Sequence, residues 1–249
     1  MAMLWGRPAR SHVCSALARV MLDRESERRS PPSVLAGSQE GPRLVVGVLS
    51  VEVGVGEVEA MIERGVGPGL PEAARCPVCD GELCLWPRTG YLRFVRLGGV
   101  TRQIWLRRAV CRVCGVTHAL RPSFLLAFRR DVVRSVGFAL VRAADGEGHR
   151  RIAEGLAIHE ATVRSWLSRA RSGAWRWRRR LLAIAVELGA EIARAPPGPL
   201  PGALEALLGA LMIAYAAAVE RFGEPACDGL WGFCSRVTAG RLIAPERPT

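Results

Sequence analysis

Four of the eight cysteines fall into two Cys-x-x-Cys pairs, Cys76-Pro-Val-Cys79 and Cys111-Arg-Val-Cys114. A two-residue gap lets one tight turn present both sulfurs to a single ion, and two such pairs supply the four thiolates that Zn²⁺ takes tetrahedrally. Amide N–H groups of each turn can donate to the same sulfurs. Between the pairs lie YLRFVRL and TRQIWLRRAV, rich in β-branched, aromatic and Arg residues and joined by Gly98-Gly99, which predicts a tight hairpin. Two knuckles bracketing a hairpin are the layout of a zinc ribbon, with Cys76, Cys79, Cys111 and Cys114 as ligands to one structural Zn²⁺. Four protein ligands close the ion off, so no open position is left for catalysis. A redox dithiol would be expected beside a βαβ pattern, which this stretch lacks. Cys84 and His118 are spare, and are read as packing or flanking groups. Cys227 and Cys234, seven apart around Trp231, make a poor metal pair and are read as free or buried thiols, and Cys14 and His12 are too isolated to form a site.

A second set of residues suits a different partner. In RRIAEGLAIHEATVRSWLSRAR, from Arg150 to Arg171, the apolar positions are Ile152, Ala153 and Leu156, then Ile158, then Val163, Trp166 and Leu167. The first and last sets follow helical spacing and Ile158 falls between them, which predicts two short helices and a tight turn. The second helix would point Glu160, Ala161, Arg164, Ser165, Ser168 and Arg169 outward. Small, hydroxyl and guanidinium groups in that mixture suit base edges and phosphates in a major groove. This is the pattern of a helix-turn-helix with a positioning and a recognition helix. The candidate DNA contacts are Arg150, Arg151, His159, Glu160, Thr162, Arg164, Ser165, Ser168 and Arg169, with the two leading arginines on phosphate.

The elements that must hold these residues follow from pattern. Residues 1–43 mix Arg, Ser, Pro and Gly without a stable period and predict disorder. Leu44 to Val53 reads as a strand, and Gly56 to Gly65 as a short helix closed by Gly65. Arg121 to Arg130 reads as a linker. Asp131 reads as the N-cap of a helix over Val132 to Ala144, with Val133, Val136, Phe138 (or Leu140) and Val141 inward. Ser172-Gly173 is expected to separate the recognition helix from a longer helix beginning at Trp175. Ala195 to Gly202, APPGPLPG, is a break, and a helix and a loop-rich end follow. The expected fold is α+β, mostly α: a small β-hairpin zinc ribbon, then a three-helix helix-turn-helix module, then a helical tail. The expected boundaries are 1–43, 44–120, 121–180 and 181–249.

Composition narrows the function classes. The chain has 249 residues and a formal net charge of +12, with a sequence pI near 10.7. A basic excess of this size favours a polyanion, nucleic acid before membrane. All 35 basic residues are Arg, and Lys and Asn are absent, a skew expected of GC-rich coding sequence, so charge supports the reading without carrying it. No apolar leader core or cleavage site stands at the N-terminus, which predicts a cytoplasmic, nucleoid-associated protein with reduced thiols. Leu204 to Val219 is the most apolar run; it contains Glu205, falls short of the roughly 20 apolar residues of a spanning helix, and is read as a buried helix, with a single membrane anchor as the alternative.

A zinc ribbon followed directly by a helix-turn-helix resembles the N-terminal DNA-binding half of insertion-sequence transposases. The run from CPVCDGEL through RAVCRVCGVTHALRP to GHRRIAEGLAIHEATVRSWLSR is more similar to a family of uncharacterised proteins from GC-rich bacteria, over roughly Leu44 to Arg180. In the related helix-turn-helix units a small residue, here Ala153, lets the helices cross closely. Thr162, Val163 and Trp166 match the start and anchor of the recognition helix. Ala157 stands where the turn usually carries Gly, which places a Cβ where positive φ is expected. The resemblance implies DNA binding. It does not extend to strand transfer, which needs carboxylates around two Mg²⁺ ions. Downstream of the recognition helix the only Asp is Asp228, and P-loop, Gly-x-Ser-x-Gly and HExxH motifs are absent.

The sequence therefore predicts a non-enzymatic protein that binds double-stranded DNA sequence-specifically, as a transcriptional regulator or a transposase-derived factor. The alternatives are the DNA-binding part of an active transposase and a zinc-ribbon protein-interaction module. A homodimer is compatible with this reading; a membrane or a small-molecule substrate is not expected.

Overall fold

A four-stranded sheet, not an isolated hairpin, forms the β part of the protein. The computed structural model describes residues 46–191, 202–223 and 229–244. The expectation of disorder for 1–43, the isolated Cys14 and His12, Cys227, and the break at 195–201 lie outside the described residues. The strands are β1 (Val46–Val51), β2 (Leu83–Leu97), β3 (Val100–Cys111) and β4 (Thr117–Pro122). Their order in the sheet is β1-β4-β3-β2. β3 and β4 are antiparallel, with Arg108 opposite Ala119 and Val110 opposite Thr117.

The six α-helices among the described residues are α1 (Val58–Arg64), α2 (Val133–Ala144), α3 (His149–Gly155), α4 (Glu160–Glu187), α5 (Ala203–Phe222) and α6 (Gly229–Val237), and a 3₁₀ turn covers Val55–Glu57. The chain divides into two compact units, Met1–Leu49, Gly69–Gly90 and Arg107–Leu120 in one, and Ser50–Pro68, Tyr91–Leu106 and Arg121–Thr249 in the other.

This corrects the expected fold of a small ribbon followed by a trihelical unit and a tail. The physical reason is strand length. At about 3.3 Å per residue, the 15 residues of β2 and 12 of β3 run well past the knuckles. Both strands therefore contribute residues to both units. In the second unit Val95, Ile104 and Leu106 are fully buried with Val53, Met61, Ile62, Phe124, Leu125 and Val132. The hairpin is thus a wall of the larger core. Residues 117–122, read as the end of the ribbon, form a strand buried at every position, because it is paired on both sides. The stretch expected as a linker is core: Leu125 and Leu126 are fully buried, and Arg93 donates to the carbonyls of Leu126 and Arg129.

The local expectations for β1 and α1 are met, and Gly65 closes α1 with φ 67. The Gly98-Gly99 turn has φ 56 and 79, the two left-handed residues that a type I′ hairpin needs. Three helical details differ. Asp131 is not a cap: α2 starts after Val132 without a side-chain cap, and the buried Asp131 carboxylate accepts from Arg96 Nε at 2.6 Å. Phe138 and Val141 face solvent, while Ala139 and Leu140 are buried. A Cβ on Gly137 would lie 2.2 Å from the Trp231 ring, so that helix face receives an indole.

The third difference is that α4 runs unbroken for 28 residues through Ser172-Gly173 and past residue 180, where a domain boundary was expected. A helical Gly costs about 1 kcal/mol against Ala, and packing overrides it here. Ala170, Gly173, Ala174 and Trp177 form one buried face, and Trp177 Nε1 donates to the Leu242 carbonyl at 3.1 Å.

α5 lies along α4 and buries Leu204, Leu207, Leu211 and Ala214. At 20 residues α5 would pass as a membrane-crossing helix by length and composition alone; its buried face from Leu204 to Ala218 agrees with the reading of this run as a buried helix. The loop-rich end carries α6, whose Phe233 and Cys234 are fully buried. Burial pushes the Cys234 thiol up to about 12, in keeping with an inert packing cysteine.

Candidate functional site

Two turns of identical construction bring the four expected metal ligands together. In the first, Asp80 N–H donates to the Cys76 carbonyl at 2.8 Å and Cys76 N–H donates to the Gly81 carbonyl at 2.9 Å. In the second, Gly115 N–H donates to the Cys111 carbonyl at 3.0 Å and Cys111 N–H to the Val116 carbonyl at 2.9 Å. The residue after the second cysteine is left-handed in both, Asp80 at φ 57 and Gly115 at φ 69. Gly and Asp are among the residues that tolerate this conformation. The Cys-x-x-Cys spacing is the visible half of the signal; the Asp-Gly and Gly-Val that follow are the half that closes each turn.

The four Sγ atoms lie within 4.8 Å of one another. Cys76 and Cys114 sulfurs are 3.7 Å apart, and those of Cys79 and Cys111 are 3.5 Å apart. Each pair joins one sulfur from each knuckle, as convergence on a common centre requires. Cys76 and Cys111 are buried and Cys79 and Cys114 exposed, so the cluster sits at the edge of its unit. Its chemistry is that of a metal site: these cysteines could hold one ion.

The thiols are not equivalent. Burial pushes Cys76 up to about 12, against the opposing N–H groups of Val78 and Cys79. At Cys111 desolvation works in the same direction, but the amides of Cys114 and Val113 together with the sulfurs of Cys79 and Cys114 outweigh it and hold the thiol down to about 7.

His118 is the group next to the cluster. Its Nε2 is 3.4 Å from Cys76 Sγ, it is buried, and Nδ1 finds no partner among the described residues. Burial lowers its pKa, which favours the neutral ring. A neutral imidazole carrying its proton on Nε2 would donate to the sulfur. A Cβ on Gly47 would lie 2.4 Å from Nδ1, so β1 must carry glycine where the ring packs. Cys84 points elsewhere, to the Val110 carbonyl at 3.6 Å.

The second set of candidate residues is carried by α3 and α4 of the larger unit. Leu156 caps α3, Ala157 is left-handed at φ 52, and His159 begins α4. Ile152, Ala153, Ile158, Val163, Trp166 and Leu167 are all buried. Ala153, the small residue expected at the helix crossing, is buried, and Ala157 takes the positive φ that its place in the turn demands.

The nine candidate contacts do not share one environment. Arg151, Arg164 and Ser168 are exposed, and Thr162, Ser165 and Arg169 half-buried. His159 caps α4, its Nδ1 accepting from Ala161 N–H at 3.2 Å. Glu160 accepts from His149 Nε2 at 2.9 Å and faces Arg150 Nε at 3.5 Å, and these neighbours, His149 first, hold its carboxyl below the ordinary range. Glu160 and Arg150 therefore partly neutralise each other. Further along α4, Trp175 is exposed beneath the Arg178 guanidinium, 5.7 Å from its ring centre. No family model, curated protein or solved structure matches the chain.

Proposed function

We propose that this chain binds double-stranded DNA without performing chemistry on it, reading the duplex through α4, with the four-cysteine cluster holding one structural Zn²⁺. The observation that carries the reading is the α3–turn–α4 unit. Its buried side holds Ile152, Ala153, Ile158, Val163, Trp166 and Leu167, and its other side offers Arg151, Ala161, Arg164 and Ser168 to solvent. A recognition helix needs this division: one stripe fixed in a core, the other short, polar and basic enough to enter a major groove. A transcriptional regulator or a transposase-derived factor would use it.

Zinc is favoured for the ion on ligand type and size. Four thiolates in a tetrahedron are a site for zinc or iron–sulfur chemistry. With Zn–S bonds of about 2.3 Å, sulfurs lie about 3.8 Å apart, close to the 3.5 and 3.7 Å found here. A bound Zn²⁺ would neutralise thiolate charge and fix the two knuckles. The protein's own part is to orient four sulfurs and to donate N–H groups to them.

Titration of the zinc-loaded chain into a labelled random duplex tests the reading. Affinity should fall steeply as salt rises. Arg151→Ala should weaken all sequences and lower the slope of log K against log salt by about one, while Arg164→Ala should relax base preference. Absence of duplex binding at low ionic strength overturns the proposal.

A second reading draws on Val78 and Val113, the third residues of the two knuckles, which are 64% and 72% exposed. Apolar side chains at both knuckle tips suit a protein partner. Salt-insensitive capture of a protein, lost on Val78→Asp, with no DNA binding, would favour it.

A further inference from the structure

The tip of the β2–β3 hairpin reaches the turn of the α3–α4 pair. A Cβ on Gly99 would lie 3.3 Å from the Ala157 Cβ and 3.8 Å from the Ala157 carbonyl oxygen. Ala157 is three residues before the first residue of α4, so the tip stands beside the end of the helix that the proposed function sends into the groove. The contact is a backbone approach: glycine at 99 has no side chain to hold the strands away, and its φ of 79 turns the chain there.

The hairpin is also uniformly basic. From Leu83 to Cys111 there are six arginines and no Asp or Glu. Two of them are used internally, Arg93 on the carbonyls of Leu126 and Arg129 and Arg96 on Asp131. Arg102 is different. It sits three residues past Gly99, is exposed together with Gly98, Val100 and Thr101, and pairs with no carboxylate among the described residues.

We infer that the Gly98-Gly99 tip is a second DNA-contacting arm, in which Arg102 binds a backbone phosphate flanking the groove that α4 enters. This rests on the proposed function and adds to it a contact from a different element. A duplex carries a charge every 1.7 Å or so along its axis, so any basic arm beside an inserted helix meets phosphate. The acid-free hairpin matches that surface in sign, and the Gly99–Ala157 approach fixes where along the helix the arm must lie. The tip has no group for reading base edges, so its contribution is to affinity and register.

The test is a salt titration of the full zinc-loaded chain on random duplex, comparing wild type, Arg102→Ala, Arg102→Lys and Arg151→Ala. Loss of one phosphate contact should weaken binding about fivefold to tenfold at 0.1 M salt and lower the slope by about 0.9. Arg102→Lys should keep the slope, because a phosphate accepts either cation. Hydroxyl-radical footprinting should show protection lost on one flank only with Arg102→Ala. If wild type binds and Arg151→Ala weakens it, but Arg102→Ala leaves affinity and slope unchanged at an unchanged melting temperature, the arm is refuted and the helix reading stands. If wild type does not bind duplex, both fall.

Discussion

The knuckles and the α3–α4 turn solve one problem, reversing the chain in a few residues through a left-handed residue, by different means. Each knuckle places Asp80 or Gly115 in that conformation and relies on sulfur convergence to hold the result. The helical turn places Ala157 there, at a cost, and relies on Ile152, Ile158, Val163 and Trp166 beneath it. Where apolar side chains are scarce, covalent or coordinate bonds must supply the order. Where they are plentiful, the core can force an unfavourable backbone.

That contrast is broken or sharpened most by removing the proposed metal. A structural zinc contributes on the order of 10 kcal/mol to the fold it clamps. Chelation, or Cys111→Ser, should therefore abolish hydrogen-exchange protection around 76–84 and 111–118 and leave the amides of α4 protected. Protection lost throughout α4 would show that the two regions do not differ in this way.

The next largest effect belongs to the core side of the comparison. Asp131 is buried and paired with Arg96, which is 19% exposed. Removing one partner of a buried pair leaves an uncompensated charge at a cost of about 3–5 kcal/mol. Asp131→Ala should lower the denaturation midpoint accordingly, with the metal-to-protein ratio unchanged. Lost metal would link that pair to the knuckles.

The smallest effect is at Ala157. A left-handed non-Gly residue is strained by roughly 1–2 kcal/mol, and glycine returns part of that through its greater freedom unfolded. Ala157→Gly should stabilise the protein by about 0.5 kcal/mol, read as a small rise in denaturation midpoint. A loss of stability would mean that packing of the Ala157 methyl outweighs the strain.

Some of this was legible at once. The cysteine spacing located the four residues that could hold one ion, because each Cys-x-x-Cys pair is a local feature of the sequence. The period of 150–171 located two helices and their turn, because helical burial repeats locally. The Gly pair located the hairpin tip. Asp131 was misread since a carboxylate before a helix has two uses, cap or ion pair, and Arg96 is 35 positions away. Phe138 was misplaced because its burial depends on what packs on α2: small Gly137 faces Trp231, and the larger Phe138 does not.

By itself the sequence determined the turns, the two knuckles and the basic sign of the hairpin, because each is a property of one continuous stretch of chain. Tertiary structure alone decided that Thr117 to Pro122 is an internal strand, that 121–130 is core, and that α4 continues through Gly173. It also decided that Gly99 meets Ala157, 58 residues further along the chain. The physical reason is that burial is a property of the neighbour as much as of the residue, and those neighbours come from distant parts of the chain.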